Sequence, residues 1–309
     1  MMKVIQPGVM ALLQDGGRMG QHRIGLTTGG PLDREAFQWA NRLCGNSLNA
    51  TAIEISIGGL VLEAQADTHI ALTGADMPLS INKQAVNGWT TQTVKAGQRI
   101  ELGYAQQGCR AYLAVAGGFN IPDMFGSTAT VVREKLGGLA GKALANGDAL
   151  PYTPDQSTPL MTLPLQYRPR YDKSVTLRVI PGYQQQHFST AQQALFFSSS
   201  YTVSDQCDRM GYRLEGQAVK ADITGMLSEG ICYGAIQIPA NGQPIVLLND
   251  RQTIGGYPKI GSVLSLDIAK LTQLLPGGTV QFEAISIAEA HNALHLAAYH
   301  FDNTPLQTL

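Results

Sequence analysis

Short runs of β-type residues between closely spaced glycines and prolines constrain the fold of this chain more than any other feature. The 309 residues include 34 glycines and 15 prolines. Alternating or β-branched runs bounded by such turn residues are typical of a barrel or a sandwich. These runs occupy residues 59–63, 70–73, 110–116, 176–180, 235–238, 245–248 and 279–282. We therefore expect a mainly β protein in which strands outnumber helices.

A few short helices are predicted from residues that can cap a helix N-terminus. Asp33 precedes a segment whose apolar residues share one face, and Gly45 follows it as a stop. Ser189 with Gln192, and Ser286 with Glu289, have the spacing of a capping box. A fourth helix is predicted to begin at Asp267 and to be ended by Pro276 and Gly277.

Chain length and a weak internal repeat predict two domains. A chain of 309 residues exceeds the usual size of a single hydrophobic core. Similar residues recur 175 positions apart in collinear order, as in Val4 and Val179, Asp33 and Asp208, Glu54 and Glu229, Gly59 and Gly234, and Ile70 and Ile245. The stretch 151–169 contains five prolines and reads as a linker. We expect one β-barrel domain over 1–160 and a second over 170–309.

Charge and cysteine content exclude several classes of partner. The 22 basic and 23 acidic residues give a net charge of −1, which provides no broad field for nucleic acid or anionic membranes. The four cysteines are far apart and form no CxxC pair, as expected of reduced thiols. Neither a signal peptide nor a membrane-spanning apolar run is recognisable. These features predict a cytoplasmic protein with no nucleic-acid or membrane partner.

The densest group of polar residues follows the predicted strand at 245–248. It consists of Asp250, Arg251, Gln252 and Thr253, and then Gly255, Gly256 and Tyr257. An arginine fork suits a carboxylate or a phosphate, and glycines allow a ligand to approach the backbone closely. The segment therefore predicts a loop that grips a small anionic ligand. An ordinary strand-end ion pair followed by a turn is the alternative.

Two smaller segments repeat this combination of acidic residue, arginine and glycine. One contains Asp15 and Arg18, and the other contains Asp208 and Arg209. A simple turn or an ordinary ion pair explains each of them equally well.

Two apparent ligand motifs do not meet the requirements of their chemistry. The segment 137–143 has too few residues before Lys142 for a phosphate-binding P-loop, and Ala143 replaces the hydroxyl that would hold magnesium. His291 and His295 lack the neighbouring glutamate and the third ligand of a zinc site. No GxSxG elbow is present for a serine nucleophile. We predict no metal within this chain, and chemistry that is acid/base or electrostatic.

Six longer motifs, in order along nearly the whole chain, resemble the allophanate hydrolase subunit 2 family of biotin-dependent carboxyltransferase proteins. They are QDGGRMG at 14–20, GGPLD at 29–33, ANRLCGN at 40–46, LAVAGG at 113–118, DRMGYRL at 208–214 and DRQTIGGYP at 250–258. The resemblance implies two tandem cyclophilin-like β-barrel domains with a few short helices.

The resemblance also implies a function. A chain of this length is most similar to the branch of C-type 5-oxoprolinase subunits, which act with a small cyclophilin-like B-type subunit and with an A-type subunit. That branch is expected to cleave 5-oxo-L-proline, a small amide, to L-glutamate with ATP bound in a partner subunit or at a shared site. Two alternatives stay open: a biotin-dependent carboxyltransferase component of the urea or allophanate type, and a non-catalytic regulator that binds a kinase-inhibitor partner.

The motifs suggest roles for individual residues. Catalytic roles are predicted for Asp208, Arg209, Asp250 and Arg251, and substrate binding is predicted for Arg18, Gln252, Thr253, Gly255, Gly256 and Tyr257. The arginines would stabilise a phosphate or a developing oxyanion, and the aspartates would act as acid/base groups or hold an arginine in place. One departure is Cys207, where relatives usually carry serine, and this leaves the identity of the substrate open.

Overall fold

The computed structural model describes residues 1–223 and 226–309, and it confirms a mainly β fold. Internal contacts divide the chain into two compact units. Unit 1 contains Met1–Gln21, Thr28–Tyr171 and Pro305–Leu309, and unit 2 contains His22–Thr27 and Asp172–Thr304. These bounds differ from the predicted intervals 1–160 and 170–309 at the short segment 22–27, at the proline-rich stretch and at the C-terminus.

Unit 1 is built from two antiparallel sheets. Its first twelve strands are β1 (Met2–Pro7), β2 (Met10–Gln14), β3 (Ala52–Ser56), β4 (Leu60–Ala64), β5 (Thr68–Asp76), β6 (Leu79–Ile81), β7 (Gln84–Val86), β8 (Thr91–Val94), β9 (Arg99–Leu102), β10 (Gln107–Val115), β11 (Ala149–Leu150) and β12 (Met161–Thr162). One sheet has the order β11-β1-β4-β9-β6-β7 and the other has the order β2-β3-β10-β5-β8. A single apolar cluster joins side chains of both sheets, including Val4, Leu62, Ile53 and Leu113.

Helix α1 (Arg34–Leu43) begins where the sequence predicts it. Asp33 Oδ1 accepts a hydrogen bond from the Ala36 amide over 3.0 Å, and Gly45 follows with a φ of 69°. The apolar face of the helix is buried and belongs to a cluster that includes Phe37 and Tyr112. Their rings meet edge to face, with centroids 5.9 Å apart.

Unit 2 contains a closed barrel. Its strands are β13 (Ser174–Pro181), β14 (Ser200–Cys207), β15 (Gly211–Gly216), β16 (Glu229–Gly230), β17 (Ala235–Gln237), β18 (Ile245–Leu247), β19 (Ile254–Gly255), β20 (Lys259–Val263) and β21 (Thr279–Ala284). The barrel follows the order β13-β20-β17-β18-β15-β14-β21 and closes through the parallel pair of β13 and β21. Strands β16 and β19 form a separate two-stranded sheet.

Three helices complete unit 2: α2 (Thr190–Ser198), α3 (Ser265–Thr272) and α4 (Ile287–Asn303). Ser189 caps α2 as predicted, but Gln192 Oε1 accepts from the Lys220 amide and does not complete the predicted capping box. A complete capping box of Ser286 and Glu289 opens α4 as predicted. The predicted limits of α3 are wrong, because the helix begins at Ser265 and ends at Thr272. Asp267 is inside its first turn, where its buried carboxylate binds Arg178 instead of capping the helix.

Short 3-10 helices occupy His22–Ile24, Val132–Glu134, Leu165–Tyr167 and Tyr183–His187. No helix in residues 1–223 and 226–309 combines the length and the apolar character needed to cross a membrane.

The proline-rich stretch is part of unit 1 rather than a free linker. Its strand β12 pairs with β22 (Gln307–Thr308), and the Tyr152 hydroxyl donates to the Ala66 carbonyl over 2.5 Å. The Asp155 carbonyl accepts a hydrogen bond from the amide of His69. The stretch therefore makes specific hydrogen bonds within unit 1 although its sequence has no strand or helix periodicity.

Candidate functional site

Two of the predicted motifs meet at one end of the unit 2 barrel. Strands β15 and β18 pair antiparallel, with Gly211 opposite Leu247. The turn that precedes β15 and the loop that follows β18 are therefore adjacent. The Leu248 amide donates to the Met210 carbonyl over 2.9 Å, and the Asp250 amide donates to the Arg209 carbonyl over 3.0 Å.

Arg209 and Asp250 form a two-point ion pair at this junction. Arg209 Nε is 3.0 Å from Asp250 Oδ2, and Arg209 Nη2 is 3.0 Å from Asp250 Oδ1. Both residues are buried. Two parallel charge-assisted hydrogen bonds fix the relative orientation of the two groups. This geometry fits the expectation that an aspartate holds an arginine in place.

Arg251 points to protein carbonyl groups in the same region. Its Nε donates to the Ile231 carbonyl over 3.1 Å and its Nη1 donates to the Leu248 carbonyl over 3.2 Å. The guanidinium carbon is 5.7 Å from the ring centroid of Tyr233. Burial lowers the pKa of Arg251, but an arginine stays charged at neutral pH. The residue thus places a buried positive charge beneath the loop.

Asp208 is exposed and stabilises the turn before β15. Its Oδ1 accepts hydrogen bonds from the amides of Met210 and Gly211, over 2.8 and 3.1 Å. Such a carboxylate–amide turn is the local structure that aspartate favours. An acid/base role for Asp208 stays a prediction.

The second half of the predicted loop forms strand β19 and its flanks. Gln252 and Tyr257 are exposed, Thr253 is half-buried, and the Thr253 carbonyl accepts the amide of Ile231 over 3.0 Å. Gly255 is opposite Glu229 in the β16–β19 pair. The exposed side chains therefore lie on a loop whose backbone is held to residues 229–231.

The two glycines of this loop allow close packing within the protein. A Cβ atom on Gly255 would be 2.6 Å from Ile231 Cδ1 and 3.0 Å from Gln237 Nε2. A Cβ atom on Gly256 would be 3.0 Å from the carbonyl oxygen of Met226. Both positions therefore have little room for a side chain.

Arg18 belongs to unit 1, whereas the other predicted site residues belong to unit 2. It is fully buried, and it donates from Nε to the Met124 carbonyl over 2.8 Å and from Nη2 to the Ala129 carbonyl over 3.2 Å. Asp15 accepts hydrogen bonds from the Ser127 hydroxyl and the Thr128 amide. The first motif therefore holds the segment 124–129 within unit 1.

A polar cluster that the motifs did not indicate is next to β19. Glu229 accepts hydrogen bonds from the Tyr183 hydroxyl and the Gln184 carboxamide and forms an ion pair with Lys259. The Lys259 amide donates to Gln184 Oε1 over 2.8 Å. Lys259 lowers the pKa of Glu229, with Tyr183 contributing in the same direction. The available sequence signal was the position of Lys259, immediately after the motif at 250–258.

Comparisons with known proteins identify the family of this chain. Residues 24–284 match the family described as carboxyltransferase domain, subdomain A and B. The chain belongs to this carboxyltransferase family. It is similar to the C-type 5-oxoprolinase subunit of Escherichia coli, with 40% identity over 295 residues that cover 95% of this chain and 94% of the relative. The corresponding values for the C-type 5-oxoprolinase subunit of Haemophilus influenzae are 35% identity over 293 residues, with 94% and 93% coverage.

A solved structure gives the same result for the fold. The crystal structure of the Kluyveromyces lactis urea carboxylase has a TM-score of 0.91 and 27% identity to this carboxyltransferase family member. The similarity covers 98% of this chain and 29% of that chain. The chain therefore spans under a third of the length of the urea carboxylase that it matches. These comparisons confirm the predicted family.

The structure also gives the positions of the remaining residues that the sequence analysis discussed. Cys207 is the last residue of β14, directly before Asp208 and opposite Tyr212. Lys142 in the rejected P-loop segment is exposed, as are His291 and His295 on α4. In the described part of the chain, no group of three or more His, Cys, Asp or Glu residues is placed to hold a metal ion.

Proposed function

We propose that this chain is the C-type subunit of an ATP-dependent 5-oxoprolinase and that it acts with the A-type and B-type subunits to cleave 5-oxo-L-proline to L-glutamate. The observation that carries the proposal is the nearly complete alignment with a subunit of that name, over 95% of this chain and 94% of the relative. The urea carboxylase match, by contrast, covers 29% of the matched chain. Agreement over nearly the whole of both chains favours the 5-oxoprolinase assignment.

The loop that follows β18 is the proposed substrate-binding surface. Its exposed Gln252 and half-buried Thr253 offer an amide and a hydroxyl for orienting a lactam. The buried Arg251 contributes positive charge where the lactam oxygen would gain negative charge during opening. The Arg209–Asp250 pair holds the start of the loop. In this proposal Arg209 and Asp250 are positioning residues.

The described residues do not form a recognisable site for the phosphates of ATP. The two buried arginines at the loop are directed to protein acceptors, Arg209 to Asp250 and Arg251 to main-chain carbonyls. The glycine-rich segment 137–143 contains an isolated bridge between Leu139 and Lys142 and does not lead into a helix. A P-loop needs a helix N-terminus behind the phosphates. We propose that ATP binds in a partner subunit or at a site shared with one.

The test is reconstitution of this protein with A-type and B-type 5-oxoprolinase subunits. Glutamate formation and ATP hydrolysis would be measured with and without 5-oxoproline, with each component omitted in turn. We expect 5-oxoproline-dependent glutamate formation that needs all three proteins. Replacement of Arg251 by alanine should reduce it strongly, because the loop loses a buried charge and two hydrogen bonds.

The matched control is Arg213→Ala, which removes an exposed arginine from β15 of the same barrel. That variant should retain wild-type activity and assemble normally. An intact three-protein complex that forms no glutamate from 5-oxoproline would rule out the proposed function.

The second candidate is a carboxyltransferase component that moves a carboxyl group from carboxybiotin to an amide nitrogen. The similarity to urea carboxylase over 98% of this chain favours it. Incubation of the same complex with labelled carboxybiotin and urea distinguishes the two candidates. Transfer of label to urea, with no glutamate from 5-oxoproline, would support the carboxyltransferase.

A further inference from the structure

Two nitrogen-bearing side chains are buried side by side below the proposed substrate loop. Gln237 on β17 and Lys259 on β20 are directly opposite each other in an antiparallel pair. Residues in this relationship point to the same face of a sheet and are close enough to share a ligand. Gln237 is 6% exposed and Lys259 is 8% exposed. The Lys259 ammonium and the neutral Gln237 amide are therefore buried next to each other.

These donors are not fully used by the protein. Within residues 1–223 and 226–309, the Lys259 ammonium contacts one acceptor, the carboxylate of Glu229. An ammonium has three hydrogen-bond donors. The carboxamide of Gln237 is buried on the strand position opposite Lys259. Buried polar groups in proteins are normally hydrogen-bonded, so this position has capacity for a ligand with several acceptor atoms.

Gln237 packs against the loop that follows β18. A Cβ atom at Gly255 would be 3.0 Å from Gln237 Nε2. The Gln237 amide therefore approaches the loop at a residue that has no side chain. Gly255 is also the residue opposite Glu229 in the β16–β19 pair. Both Gln237 and Glu229 therefore adjoin the same residue of the segment proposed to orient the lactam.

The charges at this position disfavour a phosphate dianion more than a carboxylate monoanion. Lys259 and Glu229 cancel each other, so a bound carboxylate would leave the cluster with one negative charge. A phosphate dianion would leave two and would be repelled by Glu229 at short range. A carboxylate can also accept from a lysine and an amide at once. The cluster therefore matches a carboxylate better than a phosphate.

We propose that Lys259 and Gln237 bind the carboxylate group of the substrate, and that Glu229 holds the Lys259 ammonium in place for it. This inference rests on the proposed function, in which the substrate is a lactam that carries a carboxylate. It assigns the carboxylate of 5-oxoproline to Lys259 and Gln237 and leaves the lactam for Gln252 and Thr253.

The test compares 5-oxoproline with 2-pyrrolidinone, the same lactam ring without the carboxylate. In the reconstituted three-protein complex, kcat and KM would be measured for 5-oxoproline, and the inhibition constant would be measured for 2-pyrrolidinone. Lys259→Met should lower kcat/KM for 5-oxoproline about 10- to 100-fold, mainly through KM, because one charge-assisted hydrogen bond is lost. The inhibition constant of 2-pyrrolidinone should not change.

Two further variants and a control make the result specific. Lys259→Arg should recover much of the KM because it keeps the positive charge. Gln237→Met should raise KM for 5-oxoproline about 2- to 10-fold without affecting 2-pyrrolidinone. Lys220→Met removes an exposed lysine of unit 2 and should change neither constant. If Lys259→Met does not fold, Lys259→Arg and Gln237→Met decide the matter.

The outcomes separate this inference from the proposed function. Equal weakening of both ligands, or an unchanged KM for 5-oxoproline in Lys259→Met and Gln237→Met, would show that the cluster is only structural. If the wild-type complex forms no glutamate, the proposed function fails, and calorimetric titration of the complex with both ligands then decides the subsite. Carboxylate-dependent binding that Lys259→Met abolishes would support it, and its absence would overturn it.

Discussion

Arg209 and Asp250 are 41 residues apart in sequence and meet through two hydrogen bonds of 3.0 Å each. The pair joins the turn before β15 to the loop after β18 and is almost completely buried. Because each partner of a buried pair depends on the other, the pair makes the position of the loop sensitive to either residue.

We predict that Asp250→Ala destabilises the protein by about 3–5 kcal/mol, since it leaves the Arg209 charge buried without its carboxylate. The double variant Arg209→Met/Asp250→Leu should be much less destabilised, because no unpaired charge is left. Urea unfolding of the two variants and the wild type measures both values. Equal losses in the single and double variants would show that the uncompensated Arg209 charge is not the cause of the destabilisation.

Gly255 and Gly230 provide a matched comparison within the β16–β19 sheet. A Cβ atom at Gly255 would crowd Ile231 and Gln237, whereas nothing is within 4 Å of a Cβ atom at Gly230. Gly255→Ala should therefore raise KM for 5-oxoproline and destabilise the protein by about 1 kcal/mol. Gly230→Ala should leave KM unchanged. Steady-state kinetics of the reconstituted complex with each variant is the measurement, and equal effects would exclude local crowding as the cause.

Asp33 combines a helix cap with a second contact in unit 1. Its Oδ1 accepts from the Ala36 amide and its Oδ2 accepts from the Tyr171 hydroxyl over 2.8 Å. We expect Asp33→Ala to cost about 1–2 kcal/mol of unfolding free energy, and Asp33→Asn to cost less because asparagine also caps helices. Denaturant unfolding of the two variants tests this order. An Asn variant as unstable as the Ala variant would indicate that charge, rather than capping, matters.

The sequence predicted those features that depend on neighbouring residues. The caps of α1, α2 and α4 and all seven predicted strand segments were confirmed, because capping spacing and alternation act over a few residues. The start of α3 was wrong because the ion pair of Asp267 with Arg178 joins residues 89 positions apart. Such a tertiary contact has no local signal.

The same distinction applies to the candidate site. The motifs indicated Asp208, Arg209, Asp250 and Arg251, and the β15–β18 pair brings them together. The cluster at Lys259 was missed because it depends on the register of β17 against β20 and of β16 against β19. Registers between strands distant in sequence are set by the folded sheet. Residue types alone therefore gave no reason to connect Glu229, Gln237 and Lys259.

Asp267 should make stability depend on pH in the acid range. Burial tends to raise the pKa of this carboxyl, but hydrogen bonds from Arg178 and Lys270 outweigh burial and lower it. Stability from the charged form is therefore complete above the unfolded pKa of about 3.9 and is lost as pH falls through the lower folded value.

The measurement for Asp267 is urea unfolding of the wild type and of Asp267→Asn between neutral pH and about pH 2. Wild-type stability should fall more steeply below about pH 4 than that of the Asn variant. Parallel curves for the two proteins would show that Asp267 contributes nothing to the acid transition.

The four cysteines should differ in reactivity according to their surroundings. Cys44 and Cys109 are buried, Cys207 is half-buried and Cys232 is exposed. Burial raises the pKa of the Cys44 thiol well above its ordinary value, which suppresses the reactive thiolate.

With a maleimide reagent on the folded protein, we expect Cys232 to be modified first, Cys207 more slowly, and Cys44 and Cys109 only after unfolding. Peptide mass spectrometry against time gives the order, and Cys232→Ser should remove the fast phase alone. Rapid modification of Cys44 in the native protein would contradict the burial of this residue at the end of α1.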